Sequence, residues 1–288
     1  MRRDLRRVCE TYLFDDSKLT VTSLDPEETV EKVSTSKSTK KSREITSHTL
    51  SNGLQLHLCP DNRLPTVSIQ GASLGGLTSE TASTAGISTL LSTLLNKGTI
   101  SRSGAEIATT LESLGASIGA GSGNNTSAIS ASCLSPDIGT VLEILGDTFA
   151  NPALHKNNID FERKTIQTAL LEQNEDPVSL AFRTLRSTLF TNHGYGINSL
   201  GTKESLAQID RLALSAHHSL YYTAANTHVA IFGDIDPDAT IALAEKHLSQ
   251  ISVGTKIKTP TQVLGQPAEI NLTLDKQQAI LAVGYAGS

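Results

Sequence analysis

The sequence contains no tryptophan, six phenylalanines and five tyrosines, so it offers no aromatic platform on which bases could stack. Positive charge is also short: 24 Lys and Arg against 29 Asp and Glu leave a formal charge of −5. With no basic stripe either, the composition argues against nucleic acid as a partner. No apolar run approaches the length that crosses a bilayer, and Met1-Arg2-Arg3-Asp4 does not lead into the apolar core of a signal peptide. The expectation is a soluble chain without membrane contact, in a compartment that the residues do not specify. The three cysteines, Cys9, Cys59 and Cys133, are too far apart for Cys-x-x-Cys metal binding or a disulfide framework, and read as buried thiols. No Gly-Lys-Ser/Thr phosphate loop occurs, and Gly119, Gly121 and Gly123 lack the spacing and following helix of a dinucleotide fingerprint.

What is present is a succession of amphipathic segments with clear punctuation. In residues 86–99, Ile87, Leu90, Leu91, Leu94 and Leu95 recur at steps of three and one, which places them on one helical face and leaves Thr89, Ser92 and Thr93 off it. Burying each aliphatic side chain is worth about 1.5–3 kcal/mol, while each Ser or Thr costs at most about 0.7 kcal/mol of helix propensity, so packing alone sustains this helix. Asn52-Gly53 predicts a tight two-residue hairpin turn, Val67-Ser68-Ile69 a half-buried strand, and residues 117–133 a twisted strand pair. Residues 102–115 read as a helix with Ile107, Ala108, Leu111 and Leu114 on one face and Gly115 just past its end. Pro136-Asp137 opens a further helix through Leu145 and Phe149, and Asn151-Pro152 ends it. Two glycosylation triplets, Asn124-Asn125-Thr126 and Asn271-Leu272-Thr273, fall in predicted strands. His217 and His218 are neighbours on a predicted helix, about 100° apart, and cannot clasp one metal as an i, i+4 pair can. They read as surface or packing residues.

Several of these segments resemble, in order, the insulinase/pitrilysin family of zinc metallopeptidases, peptidase M16. Leu50-Ser51-Asn52-Gly53-Leu54 is similar to the family's opening hairpin, Gly75-Gly76-Leu77-x-x-Glu80 to its glycine-rich turn, and Lys97-Gly98-Thr99 to the turn closing its metal-binding helix. Glu175-Asp176-Pro177, the loop His193-Gly194-Tyr195-Gly196 with Leu200-Gly201-Thr202, and Val229 to Asp234 resemble later landmarks, with glycine replacing proline at Gly194. The loop mostly shapes the domain in that family, so His193 is not expected to be catalytic. The resemblance implies an α+β, metallopeptidase-type domain with a mostly antiparallel sheet covered by helices. The family's helix carries His-x-x-Glu-His; this register implies Thr89 and Thr93 at the two imidazole positions and Ser92 at the carboxylate that activates water. Residues 161–169 resemble the helix of the third ligand, a glutamate, with Ala169 at that position. Neutral hydroxyls and a methyl are poor substitutes for imidazole and carboxylate. Without metal-acidified water and its base, two separate contributions to hydrolysis are missing. The chain is therefore expected to hold no catalytic and no metal-binding residue.

The resemblance also implies an organisation: residues 44–252 as one insulinase-like inactive domain, 1–28 as the last helix and strand of a preceding domain, 29–43 as a linker, and 253–288 as a connector and the first strands of a following domain. Residues 2–13 read as an amphipathic helix and 19–24 as a strand, and the Ser-, Thr-, Lys- and Glu-rich linker is too poor in large apolar residues to fold alone. The chain is thus expected to be an internal piece of a longer peptidase or a truncated frame. The function implied is the non-catalytic half of a zinc peptidase, enclosing peptide and supporting a separate half that bears His-x-x-Glu-His and the zinc, either in the same polypeptide or in a partner subunit. A proteolytically inactive scaffold subunit of a larger complex fits the same blank positions, and an unrelated α+β interaction domain is a third possibility.

Overall fold

The computed structural model describes residues 44–258 except 192, together with 261, 265–266 and 268–285. The helix expected over 2–13, the strand over 19–24, Cys9 and the linker lie outside the described residues. Six strands form one sheet: β1 Thr46–Thr49, β2 Gln55–Pro60, β3 Thr66–Leu74, β4 Ser117–Ser122, β5 Thr126–Leu134 and β6 Thr227–Gly233, in the spatial order β1-β2-β6-β3-β5-β4. All neighbouring pairs are antiparallel except β2 with β6. The α+β expectation with a mostly antiparallel sheet therefore holds. The last strand, β6, inserts between β2 and β3, so the sheet closes only when the chain has been followed almost to the end of the fold.

Strand periodicity decides which face meets the helices. In β3 and β6 every second residue is buried, placing Val67, Ile69, Val229 and Ile231 with Leu56 and Leu58 of β2 on one side, while Ser68, Gln70, Ala72, His228 and Ala230 lie exposed on the other. Among the described residues the helices are, in chain order, α1 Ile87–Leu95, α2 Gly104–Ser113, α3 Ile138–Ala150, α4 Lys156–Glu175, α5 Pro177–Leu189, α6 Lys203–Gln208, α7 Arg211–Tyr221 and α8 Pro237–Leu248. Helix α1 touches β4, α4 and α7, and α3 touches β5 and α8. The core is a single cluster in which Leu90, Leu91, Leu94 and Leu95 of α1 meet Leu56, Ile69, Ile129 and Leu142. The helix ends match the punctuation: Ser103 and Glu106 form a capping box at α2, Gly115 follows its C-cap, and Asp176 and Asp236 cap α5 and α8, each ahead of a proline.

Four expectations change. The connection between β1 and β2 takes five residues, 50–54, rather than two; within it the Leu50 N–H donates to the Leu54 carbonyl and both leucine side chains are buried. Asn52 turns inward there and donates to the carbonyls of Leu248 and Ile251 at the end of α8, both at 3.0 Å. Asn124 stands in the exposed tip between β4 and β5 rather than within a strand. Residues 268–285, where alternation predicts strands, carry neither helix nor strand, and Ile270, Leu272 and Leu274 are exposed; a strand needs a neighbour for its backbone groups. Cys133 is buried, with its thiol pushed up to about 11 by burial, whereas Cys59 is only half-buried.

The start of α1 rests on a buried carboxylate. The Gly75-Gly76 turn brings Glu80 under the helix, where its two oxygens accept the N–H groups of Gly86 (2.8 Å) and Ser88 (2.9 Å). These are donors that the helix itself leaves unsatisfied. Gly86 has φ +89°, and a Cβ there would stand 3.0 Å from the carbonyl oxygen of Leu200, so only glycine lets the 200–201 turn approach so closely. Burial pushes the Glu80 carboxyl up to about 7, outweighing the pull of its N–H partners. Ser88 donates to the carbonyl of Gly76 and lies 3.3 Å from Nε2 of His217, which burial, aided by the neighbouring His218, pushes down to about 4. His218, also lowered by burial, reaches the Phe149 carbonyl at 2.8 Å. Both histidines are packing residues.

The signs of these shifts differ. Folded Glu80 keeps its proton to about pH 7 while an unfolded glutamate releases it near 4.5, so its contribution to stability falls as pH rises through that window. His217 stays neutral in the fold down to about pH 4, so its contribution rises between there and 6.5. Comparison of the wild type with Glu80→Gln isolates the first effect. Urea unfolding at stepped pH should show the wild type losing on the order of 2–3 kcal/mol relative to the variant between pH 4.5 and 7. A difference that stays flat would contradict the buried carboxyl.

Candidate functional site

Helix α1 is enclosed on more sides than its pattern implies. Ser88 and Ser92 are buried along with the aliphatic face, and only Thr89 and Thr93 remain half-exposed. A buried hydroxyl must be hydrogen-bonded, and each one here is. Thr89 Oγ1 donates to the carbonyl of Ser199 at 2.7 Å, Ser92 Oγ to the carbonyl of Thr89 at 2.9 Å, and Thr93 Oγ1 to the carbonyl of Leu90 at 2.9 Å. Two of the three hydroxyls thus fold back onto the helix's own preceding turn. The third fastens the helix to the 194–200 loop.

Helix α4, which carries Ala169, packs against α1. The contact is held at the far end of α1 by Lys97, whose ammonium lies 2.9 Å from the buried carboxylate of Glu162, and by Asn158, which donates to the Lys97 carbonyl at 3.1 Å. Beyond it, Thr99 and Ser101 both donate to Asp147 of α3, at 2.6 and 2.5 Å, and Arg102 bridges Asp147 and Glu143. Burial works against the charge of Asp147, yet hydrogen bonds from Ser101, Thr99, Asn151 and Arg102 hold its pKa below the ordinary value. The Lys97-Gly98-Thr99 turn is therefore an anchor between α1, α3 and α4.

The donor set offered by Thr89, Ser92, Thr93 and Ala169 does not fit zinc. The hydroxyls are neutral and already give their protons to carbonyls, and a methyl has no lone pair. Among the described residues no group of three or more His, Cys, Asp or Glu side chains is placed to share a metal ion. His57 and His228 do meet on the exposed face of the sheet, Nε2 to Nδ1 at 3.0 Å with their rings 2° from coplanar, but as a pair bonded to each other.

Arg183 and Arg186 carry no motif, yet α5 turns both into a cleft of about 210 Å³ beside the 194–199 loop. Their i, i+3 spacing was the available signal. Arg183 donates through Nη1 to Gln173 Oε1 at 3.1 Å, and Asn198 donates to the same oxygen at 2.8 Å. Arg186 donates to the Tyr195 carbonyl (3.1 Å) and to Asn124 Oδ1 (3.2 Å). All of these acceptors are uncharged. His193 accepts from the Tyr195 N–H at 3.2 Å and shapes the loop, as the sequence reading expected.

Residues 74–203 match the family model for insulinase, peptidase family M16, and residues 208–288 match that for the peptidase M16 inactive domain. An uncharacterized zinc protease of Mycobacterium leprae is 27% identical over 221 residues, 73% of this chain and 49% of that protein. Subunit 1 of the mitochondrial cytochrome b-c1 complex of Mus musculus is 29% identical over 173 residues, 60% of this chain and 36% of that protein. The crystal structure of a peptidase M16 inactive domain from Pseudomonas fluorescens superposes with a TM-score of 0.71 at 22% identity, covering 78% of this chain and 54% of the other, and so shares the fold. The chain spans about half the length of the curated zinc proteases it matches. No helix among the described residues is long and apolar enough to cross a membrane. With two models of one family covering most of its length, the chain belongs to the insulinase family, peptidase M16.

Proposed function

We propose that this chain is the non-catalytic half of an insulinase-like zinc peptidase, enclosing peptide substrate while a separate half carries the zinc on His-x-x-Glu-His. The observation that supports this most is helix α1: at the positions where the family places two imidazoles and a carboxylate, it has three hydroxyls, each engaged by a carbonyl. In this reading Thr89, Ser92, Thr93 and Ala169 are the remains of a metal centre, and the chain itself supplies no catalytic group. Residues 44–252 form the inactive domain, joined through the 29–43 linker to the end of a preceding domain in 1–28, with 253–288 leading into the next. The zinc proteases among its relatives give the reading its chemistry, since their names place a metal in the family.

A second reading has its own support. The likeness to a cytochrome b-c1 subunit, a named component of a larger assembly, favours a scaffold role in which no partner half cuts peptides.

Two outcomes separate these readings from each other and from error. The purified chain, dialysed against zinc and then against buffer, should retain well under one equivalent of metal by atomic absorption; stoichiometric retention would mean the ligands have been misassigned. Mixed with, or fused to, a half bearing His-x-x-Glu-His, it should support hydrolysis of a fluorogenic peptide that neither part cleaves at a comparable rate alone. Hydrolysis by this chain alone overturns the division of labour, and an inert mixture that still assembles favours the scaffold.

A further inference from the structure

The cleft between α4, α5 and the 194–199 loop concentrates positive charge that the described residues do not neutralise. Among the described residues neither Arg183 nor Arg186 forms an ion pair, and no acidic side chain lines the cleft. Two like charges one helical turn apart repel each other. Their neutral partners do not relieve this: Gln173, Asn124 and the Tyr195 carbonyl fix where the guanidinium planes lie and leave the charge in place. Arg183 has given one N–H group of its fork to Gln173, and its Nε and Nη2 have no protein partner among the described residues. A guanidinium held in position with its fork open is the geometry that binds a carboxylate through two parallel hydrogen bonds. Phe182, 56% exposed, stands next to Arg183 and Ile197 lines the opposite loop, so the charged floor has apolar walls. At about 210 Å³ the space suits one carboxylate and the few atoms that carry it, not a whole cofactor.

The cleft is also tied to the altered helix. Ser199, on its rim, is the residue whose carbonyl receives the Thr89 hydroxyl at 2.7 Å, and Asn198, next to it, is held by Gln173 of α4. The position that would offer a metal ligand elsewhere in the family has here become a strut for the rim.

We infer that this cleft is a carboxylate-binding subsite, with Arg183 as the principal contact and Arg186 as supporting charge, that takes an acidic group of a peptide. The inference rests on the peptide-enclosing reading for the choice of a peptide as ligand. Its chemistry, a carboxylate on a guanidinium fork, is the same whether the group is a C-terminus or a Glu or Asp side chain. Thr89 acts as a positioning residue for the rim.

The test uses the full chain and three fluorescein-labelled peptides of one acid-free sequence, with a C-terminal carboxylate, with a C-terminal amide, and with the amide plus one internal glutamate. In fluorescence anisotropy titrations at low salt, at least one carboxylate peptide should bind about ten-fold or more tighter than the all-amide peptide, and which one does so identifies the source. Arg183→Gln should bring that ratio to within about two-fold. Ser179→Glu, which places a carboxylate inside the cleft at a helix position that favours one, should do the same with both arginines intact. Thermal melts confirm that both variants are folded. Equal binding of all three peptides to the wild type, or full discrimination by both folded variants, overturns the site. Competition by orthophosphate with no discrimination among peptides overturns the peptide as its ligand. Discrimination together with an inert mixture in the hydrolysis assay keeps the subsite and removes the peptidase reading.

Discussion

The constraint on which this fold depends is a helix whose side-chain hydroxyls all donate to backbone carbonyls. Helix α1 is held at its start by the Glu80 carboxylate, along its length by the leucines that meet the sheet, and at its end by Lys97 on Glu162 of α4. Its four hydroxyls answer to carbonyls, two within the helix, one at Gly76 and one in the 194–200 loop. A side chain that binds metal must present a lone pair to an open space. Here the same positions are closed by hydrogen bonds that satisfy the interior instead.

Under the proposed function, this closure is how a peptidase fold persists without its chemistry. The leucines of α1 hold it against β4, α4 and α7, while Thr89 and Thr93 lie half-exposed off the packing face and Ser92 is buried beside it. The turn after it depends on Asp147, a residue of another helix, and not on any ligand. Half-buried positive charge without an ion-pair partner among the described residues lies elsewhere, in Arg183 and Arg186, and the Thr89 hydroxyl links the two regions through Ser199.

Much of the fold was legible because local signals agree with it. The alternation at Val67-Ser68-Ile69, the glycine at 115, and the Asp-Pro pairs at 176–177 and 236–237 each report a strand or a helix end whose cause lies within a few residues. What stayed hidden depends on partners distant in sequence. Asn52 looked like half of a two-residue turn, but its side chain reaches 196 and 199 positions ahead to the end of α8, and the turn lengthens to allow it. Glu80 read as part of a turn, and its capping of α1 from below follows only when the glycine turn has folded. His217 and His218 read as surface or packing residues, and their burial depends on α7 lying against α1 and α3. The assignment of blank positions rests on the family register alone, whereas the arginine cleft needed α4, α5 and a loop to meet.

The most direct measurement rebuilds what the register says was there. Thr89→His, Thr93→His and Ala169→Glu together restore two imidazoles on α1 and a carboxylate on the helix packed against it. If these positions face one another as a former metal site, the folded triple variant should retain close to one equivalent of zinc after dialysis, where the wild type retains little. A triple variant that is folded by circular dichroism yet holds no more zinc than the wild type would contradict the assignment at its root.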